Sequence, residues 1–166
     1  MSDWYVVWCQ TGAEHETLKK ILACPGIQKA LVPTQMLPYR QGGAWIMRDT
    51  VMIPSYVFAR CQMDSRIYHT IKDMPRVLGW LGKDGYWPEV VPDDQMEPVL
   101  RLAGGAPPED ILQGVDIDRH KRRGRGTLTL AGTTQTITFC PTDYKQAEDT
   151  RVDERPADKT AEQTDT

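Results

Sequence analysis

The sequence predicts an α+β fold: a split βαβ, ferredoxin-like sandwich of antiparallel sheet and helices, followed by an incomplete small β-barrel and a disordered tail. Three observations lead there. Over residues 1–103, aromatic and β-branched runs alternate with short amphipathic stretches. A Gly- and Pro-rich segment at 104–113 reads as a linker, after which residues 114–143 regain strand periodicity. The last stretch, 144–166, is polar, acidic and Thr-rich, too poor in apolar residues to order itself.

The elements follow in order. Trp4-Tyr-Val-Val-Trp-Cys9 is apolar at odd and even positions alike, the pattern of a central strand covered on both faces. Thr11-Gly-Ala-Glu14 has the spacing of a capping box. A helix is expected to continue through Leu18, Ile21 and Leu22 and to stop at Cys24-Pro25-Gly26. Residues 29–40 read as a second strand, with Pro33 and Pro38 favouring a sheet edge or bulge. Gln41-Gly-Gly43 is a turn or hairpin tip, Ala44–Arg48 a short arm, and Tyr56–Cys61 the core of the next strand.

Asp64 or Ser65 caps a second helix carrying Ile67 and Ile71, which ends before Pro75. Val77–Leu81 is a further strand and Lys83-Asp-Gly85 a turn. A third helix carries Met96, Val99 and Leu102. Because Pro98 is tolerated only near a first turn, its regular part is expected from about Glu97. The resulting order is β-α-β-β-α-β-α, with the helices on one side of the sheet. Thr127–Phe139 then reads as strands around a Gly132 turn.

Composition narrows the function. No window approaches the roughly 18 consecutive apolar residues of a membrane span, and the N-terminus lacks a secretory pattern. A cytoplasmic protein without membrane contact is expected. Cys9, Cys24, Cys61 and Cys140 show neither CxxC nor Cys/His pairing, so they read as buried thiols rather than zinc ligands. His15, His69 and His120 have no ligand spacing. Phosphate-binding glycine loops and nucleophile motifs are lacking, and the paired acids sit in cap or loop contexts. The reading is therefore non-enzymatic, with no metal and no cofactor.

The net charge of −3 conceals a segregation. Residues 145–166 carry seven acids and four bases, so residues 1–144 sum to zero. Within those, residues 17–76 hold nine bases against three acids, and residues 77–118 two bases against nine acids. Arg119-His-Lys-Arg-Arg-Gly-Arg125 follows. A basic face that meets phosphate and an acidic face that does not would account for this, as would ordinary solvated surface.

Four fragments occur in order: Trp4-Tyr-Val-Val with Thr11-Gly-x-Glu14, Leu31-Val-Pro33, Ile53-Pro-Ser-Tyr-Val57, and Met74-Pro-Arg-Val-Leu-Gly-Trp-Leu-Gly82. Together they resemble the N-terminal (NGN) domain of NusG-type transcription elongation factors over roughly 100 residues. Trp8-Cys-Gln-Thr-Gly-Ala-Glu14 and Ile117-Asp-Arg-His-Lys-Arg-Arg123 most resemble the LoaP subgroup of processive antiterminators.

The resemblance implies a bacterial, monomeric factor that binds RNA polymerase at the β′ clamp helices and suppresses pausing or termination. By motif position it assigns the clamp contact to Trp8, Ile53, Pro54, Tyr56, Phe58, Met96 and Val99. It sets Tyr68, His69 and Thr70 near the β gate loop. It implies contact with a nascent RNA hairpin or non-template DNA through Gln10, Lys19, Lys20, Arg40, Arg48, Lys72 and Arg76, mostly to phosphates. Apart from the resemblance, aromatic and Met residues exceed what a core of this size needs, and strand alternation sets Tyr56 and Phe58 on one face.

The resemblance weakens after residue 113. NusG-type proteins end in a KOW barrel of five strands, which needs about 40 residues or more. Here residues 115–139 resemble only its later strands, and the usual Gly-Pro-x-x-Gly opening is missing. An incomplete or remodelled barrel is expected, and coupling to ribosomal protein S10 or Rho does not carry over. The alternatives are a stand-alone RNA-binding module that does not engage polymerase, and an inactive truncated paralogue.

Overall fold

The structure is a computed structural model that describes residues 2–82 and 87–141. The turn expected at Lys83–Gly85 and the tail expected from residue 144 lie outside the described residues.

Four strands form the main sheet. They are β1 (Asp3–Cys9), β2 (Ile27–Leu31), β5 (Tyr56–Cys61) and β6 (Val77–Trp80), in the spatial order β2-β5-β1-β6 with every neighbour antiparallel. Helix α1 (Glu14–Leu22) connects β1 to β2, and α2 (Ser65–Lys72) connects β5 to β6. The two interleaved β-α-β units are those of the split βαβ fold. Between β2 and β5 the chain leaves the sheet as a hairpin, β3 (Thr34–Gln41) and β4 (Ala44–Val51), turning through Gly42-Gly43. After β6 come α3 (Asp93–Ala103), a single 3-10 turn at Pro108–Asp110, and a three-stranded antiparallel sheet of β7 (Gln113–Asp118), β8 (Arg123–Leu130) and β9 (Thr133–Phe139). Among the described residues this second sheet does not close into a barrel.

Alternation along β1 and β5 divides the core in two. Tyr5, Val7, Val57 and Ala59 face α1 and α2 and pack on Ile21, Ile67 and Ile71. Trp4, Val6, Tyr56 and Phe58 face the other way and pack on Met96, Val99 and Leu102 of α3. The helices therefore cover both faces, not one as expected. The reason was present in Trp4–Cys9: a strand apolar on both sides needs cover on both.

Several boundaries differ from expectation. The single strand read over 29–40 is two, broken at Val32-Pro33, so that β2 joins the main sheet and β3 joins β4. The short arm at 44–48 is a full eight-residue strand. Helix α3 begins at Asp93, four residues before the expected start, with Pro98 inside it. Burial of Met96, Val99 and Leu102 along one stripe outweighs the one backbone bond that Pro98 cannot donate.

The capping box also fails to form. The α1 N-cap is Ala13, without a side-chain cap, and the Glu14 carboxylate instead accepts from the backbone N–H of Gly12 (3.0 Å) and of Ser55 (2.7 Å). Glu14 is 3% exposed and thereby ties the start of α1 to the turn before β5. The second helix matches expectation: the Asp64 side chain accepts from the Ile67 N–H at 2.8 Å. All four cysteines are buried, and none is joined in a disulfide among the described residues.

Candidate functional site

Residues 53–58 turn sharply before they enter the sheet. Pro54 and Ser55 occupy the turn, with Ser55 at φ 73°, the left-handed value that the third position of a type II turn demands. The turn is held by the Ser55 N–H bond to Glu14, by the Cys9 N–H bond to the Ser55 carbonyl (2.9 Å), and by a 2.6 Å hydroxyl pair between Thr11 and Ser55. It delivers Ile53, Tyr56 and Phe58 to one sheet face, where Tyr56 and Phe58 meet edge to face with ring centroids 6.5 Å apart.

With Met96 and Val99 from α3, these five residues of the sequence-derived clamp set form one contiguous apolar surface. Two of the set lie outside it. Pro54 is exposed at the turn, and Trp8 is 46% exposed at the strand end, opposite Tyr56 and Gly79 in the ladders.

That surface is not open. The sheet β7-β8-β9 lies over it and inserts Leu128, Leu130, Ile137 and Phe139 into the same cluster, with Leu112 from the segment before β7. Tyr56, expected on an exposed contact face, is 8% exposed, and Ile53, Phe58, Met96 and Val99 are buried more completely. Gly124 and Gly126 on β8 permit the close packing: a Cβ at Gly124 would lie 2.5 Å from the Phe139 ring, and one at Gly126 2.6 Å from Leu112 Cβ. Burying each large apolar side chain stabilises the contact by about 1.5–3 kcal/mol before ordering costs.

Polar contacts rim the apolar centre. The Gln135 side-chain amide donates to the Tyr56 hydroxyl (3.0 Å), and the Ala131 N–H donates to Gln95 Oε1 on α3 (2.9 Å). Gln35 Nε2 donates to the Thr138 carbonyl, and Arg123 Nη2 to the Pro38 carbonyl at 2.8 Å. Gln35, Gln95 and Gln135 were not singled out in the sequence, and Arg123 stood there only as one of a basic run; a polar residue on a strand or helix carries no mark of its distant partner.

Tyr68, His69 and Thr70 lie on α2. His69 and Thr70 are exposed, while Tyr68 stacks on Trp87 at 5.3 Å and takes Lys72 Nζ over its ring at 5.4 Å. Trp87, 51% exposed, is a surface aromatic that the sequence reading passed over.

The basic candidates divide into groups. The Gln10 N–H donates to the Arg76 carbonyl, and Arg76 and Lys20 both reach Glu16, at 3.4 and 3.3 Å, so these three share one edge. Lys19 is exposed on α1 and Lys72 on α2. Arg40 and Arg48 stand apart on the β3-β4 hairpin, over the Trp45 and Tyr39 rings.

Chemistry elsewhere is quiet. Burial pushes the Cys61 thiol up to about 11, helped by the charges of Asp64 and Asp3 and by Cys24, and burial also raises Cys9 and Tyr5. All three lie in the opposite core, under α1 and α2. Among the described residues no group of three or more His, Cys, Asp or Glu could hold a metal ion. No described helix is long and apolar enough to cross a membrane.

Comparison with known proteins adds a family. The model described as NusG, transcription termination factor nusG, matches residues 2–100, more than half of the chain. The transcription termination/antitermination protein NusG of Pseudomonas aeruginosa is 27% identical over 105 residues, 59% of this chain and 59% of that one. The protein of the same description from Helicobacter pylori is 26% identical over 92 residues, covering 51% and 52%. The chain thus spans little more than half the length of these curated relatives. A solved structure described as domain interaction in Thermotoga maritima NusG superposes with a TM-score of 0.57 at 22% identity, over 84% of this chain and 94% of that one, a likeness of fold.

Proposed function

This chain belongs to the NusG family, and from that premise we propose that it is a non-enzymatic, cytoplasmic transcription elongation or antitermination factor that works by binding RNA polymerase. The proposed contact is the β′ clamp helices, received by Ile53, Tyr56, Phe58, Met96 and Val99, with Trp8 and Pro54 at the rim. Tyr68, His69 and Thr70 are proposed to face the β gate loop. Gln10, Lys19, Lys20, Lys72 and Arg76, with Arg40 and Arg48 on the hairpin, are proposed to meet a nascent RNA hairpin or non-template DNA, mainly at phosphates. The LoaP-like wording of residues 8–14 and 117–123 favours antitermination over termination. In this reading residues 1–103 are the polymerase-binding domain, 104–113 the connection and 114–143 a shortened KOW-like sheet.

One observation carries the reading. The five core members of the clamp set are contiguous, and what covers them is a separate sheet reached through Gly104-Gly105, not a part of the main sheet. An apolar surface whose cover is a separate sheet, joined by one connecting segment, can exchange that cover for a helical partner. Engagement then requires the C-terminal sheet to move away, and affinity falls by the fraction of time the face is open.

Calorimetry with purified β′ clamp helices tests this. Leu130→Asp, which sets a charge in the covered contact, is expected to bind the clamp helices more tightly than the unaltered chain. Tyr56→Ala in the Leu130→Asp background is expected to bind at least tenfold more weakly. Equal binding with and without the Tyr56 ring sinks the pocket assignment; no binding even by Leu130→Asp sinks polymerase engagement. The covered face also favours the second reading, an RNA-binding module that does not engage polymerase, which predicts that last result together with retained RNA affinity.

A further inference from the structure

The β3-β4 hairpin and the turn between β7 and β8 meet in a junction that neither could make alone. On the hairpin, Arg40 and Trp45 are cross-strand partners, and Tyr39 lies next to Arg40 in sequence. The turn brings Arg122 over the Trp45 ring at 4.5 Å, where Arg40 already sits at 5.4 Å. It brings Arg123 over the Tyr39 ring at 4.3 Å, where Arg48 sits at 5.2 Å. Two rings thus gather four guanidinium groups from two separate parts of the chain. Beside them runs an open groove of about 450 Å³ lined by Tyr39, Arg40, Trp45, His120, Lys121 and Arg123.

The charge balance makes this more than a packing contact. Arg40, Arg48, Lys121 and Arg123 form no ion pair among the described residues; Arg48 Nη2 donates to Gln41 Oε1 and Arg123 Nη2 to the Pro38 carbonyl, both neutral acceptors. The nearby carboxylate of Asp118 is engaged in shaping the turn, accepting from the N–H groups of His120 (3.0 Å) and Lys121 (3.2 Å). Arg122 is held at φ 57°, a left-handed conformation that strains a non-glycine residue. Like charges gathered around two neighbouring rings repel, and a polyanion relieves that repulsion. Guanidinium planes and aromatic rings are also the surfaces on which unstacked bases rest.

We propose that this junction is a binding site for a short single-stranded nucleic acid segment, complete only while the C-terminal sheet lies on the main domain. Phosphates meet Arg40, Lys121 and Arg123, and a base rests against the Trp45–Tyr39 wall. The site shares Arg40 and Arg48 with the nucleic-acid face proposed above, but it adds the turn residues and is independent of any clamp contact. Its occupant holds the covering sheet in place. Binding of a single strand here and uncovering of the apolar face therefore oppose each other, by an equal factor in each direction.

Fluorescence anisotropy with labelled single-stranded RNA and DNA of one sequence tests this on the full chain without polymerase. Arg40→Glu on the hairpin and Lys121→Glu on the turn are each expected to weaken binding at least tenfold at low salt. Arg66→Glu, exposed on α2 and outside every proposed contact, is expected to change it less than twofold. The unaltered chain is expected to give a slope of log affinity against log salt of about −2, as for the three phosphate contacts of Arg40, Lys121 and Arg123. The oligonucleotide is also expected to slow hydrogen exchange of the β8 and β9 amides, and not to do so in Lys121→Glu.

Equal losses in Arg66→Glu and Lys121→Glu would overturn the junction in favour of diffuse attraction to the whole chain. So would full affinity in Lys121→Glu, or binding that leaves the β8 and β9 amides unprotected. Absence of any oligonucleotide binding overturns the site while leaving clamp binding, measured separately, untouched. Preference between the RNA and DNA arms identifies which strand the site takes.

Discussion

The side-chain amide of Gln135, on the last strand, donates to the hydroxyl of Tyr56, on a central strand of the main sheet, at 3.0 Å. This bond joins the covering sheet to the centre of the surface it covers. A net contribution of about 1 kcal/mol is usual for such a bond. Gln135→Ala should therefore raise the uncovered population roughly fivefold, read as faster hydrogen exchange of β8 and β9 amides with β1 and β5 unchanged. Tyr56→Phe should have a similar effect, and the double variant should be no worse than either alone. Fully additive effects would mean that the two groups do not interact.

Gly124 has no space for a side chain, because an added Cβ would meet Phe139 Cζ at 2.5 Å and Cε2 at 2.8 Å. Phe139 is fully buried and cannot swing into solvent without opening the core. Gly124→Ala should cost about 1–3 kcal/mol, seen as a lower unfolding midpoint and early loss of protection in β8 and β9. A variant as stable as the original would mean that the sheet does not pack this way.

Glu14 works as a buried acceptor between α1 and the turn at Ser55. Glu14→Ala leaves the N–H groups of Gly12 and Ser55 without their partner and should cost about 2–3 kcal/mol in urea unfolding. Glu14→Gln keeps one acceptor oxygen and should fall in between. Because the turn presents Tyr56, Glu14→Ala should also weaken clamp-helix binding measured in the Leu130→Asp background.

Cys61 sets an alkaline limit. Its thiol rises from an ordinary 9.0 to about 11 because burial disfavours the thiolate. Folding therefore favours the protonated form. This contribution is complete below pH 9 and is lost as pH rises through about 11, by at most about 2–3 kcal/mol. Urea midpoints should drop over that interval, and Cys61→Ala should flatten the drop. At neutral pH Cys61 should react with maleimide only after unfolding. A pH-independent midpoint, or rapid labelling of the folded chain, would contradict its burial.

Local pattern was enough to determine much of this protein. Trp4–Cys9 reads as a doubly covered strand, Asp64 as a helix cap, Gln41-Gly-Gly43 as a hairpin tip and Tyr56 with Phe58 as face partners, because each rests on periodicity or on bonds spanning a few residues. The apolar composition of Ile53, Tyr56, Phe58, Met96 and Val99 was equally legible.

What covers those residues was not. The partners that bury Tyr56 and Phe58 lie on β8 and β9, some 70 or more positions away, and appear in sequence only as another alternating strand. The split of residues 29–40 and the early start of α3 were hidden for a related reason: proline's local penalty is visible in the chain, whereas the tertiary burial that offsets it is not. Likewise, Arg40 and Arg123 belong to separate basic segments of the chain until the fold sets the hairpin against the C-terminal turn. The sequence determined which surfaces are apolar and which are basic; only the tertiary structure decided that the apolar one is closed and that the basic ones meet. Burial and charge convergence depend on long-range pairing, and a strand's own pattern does not encode the identity of its partner.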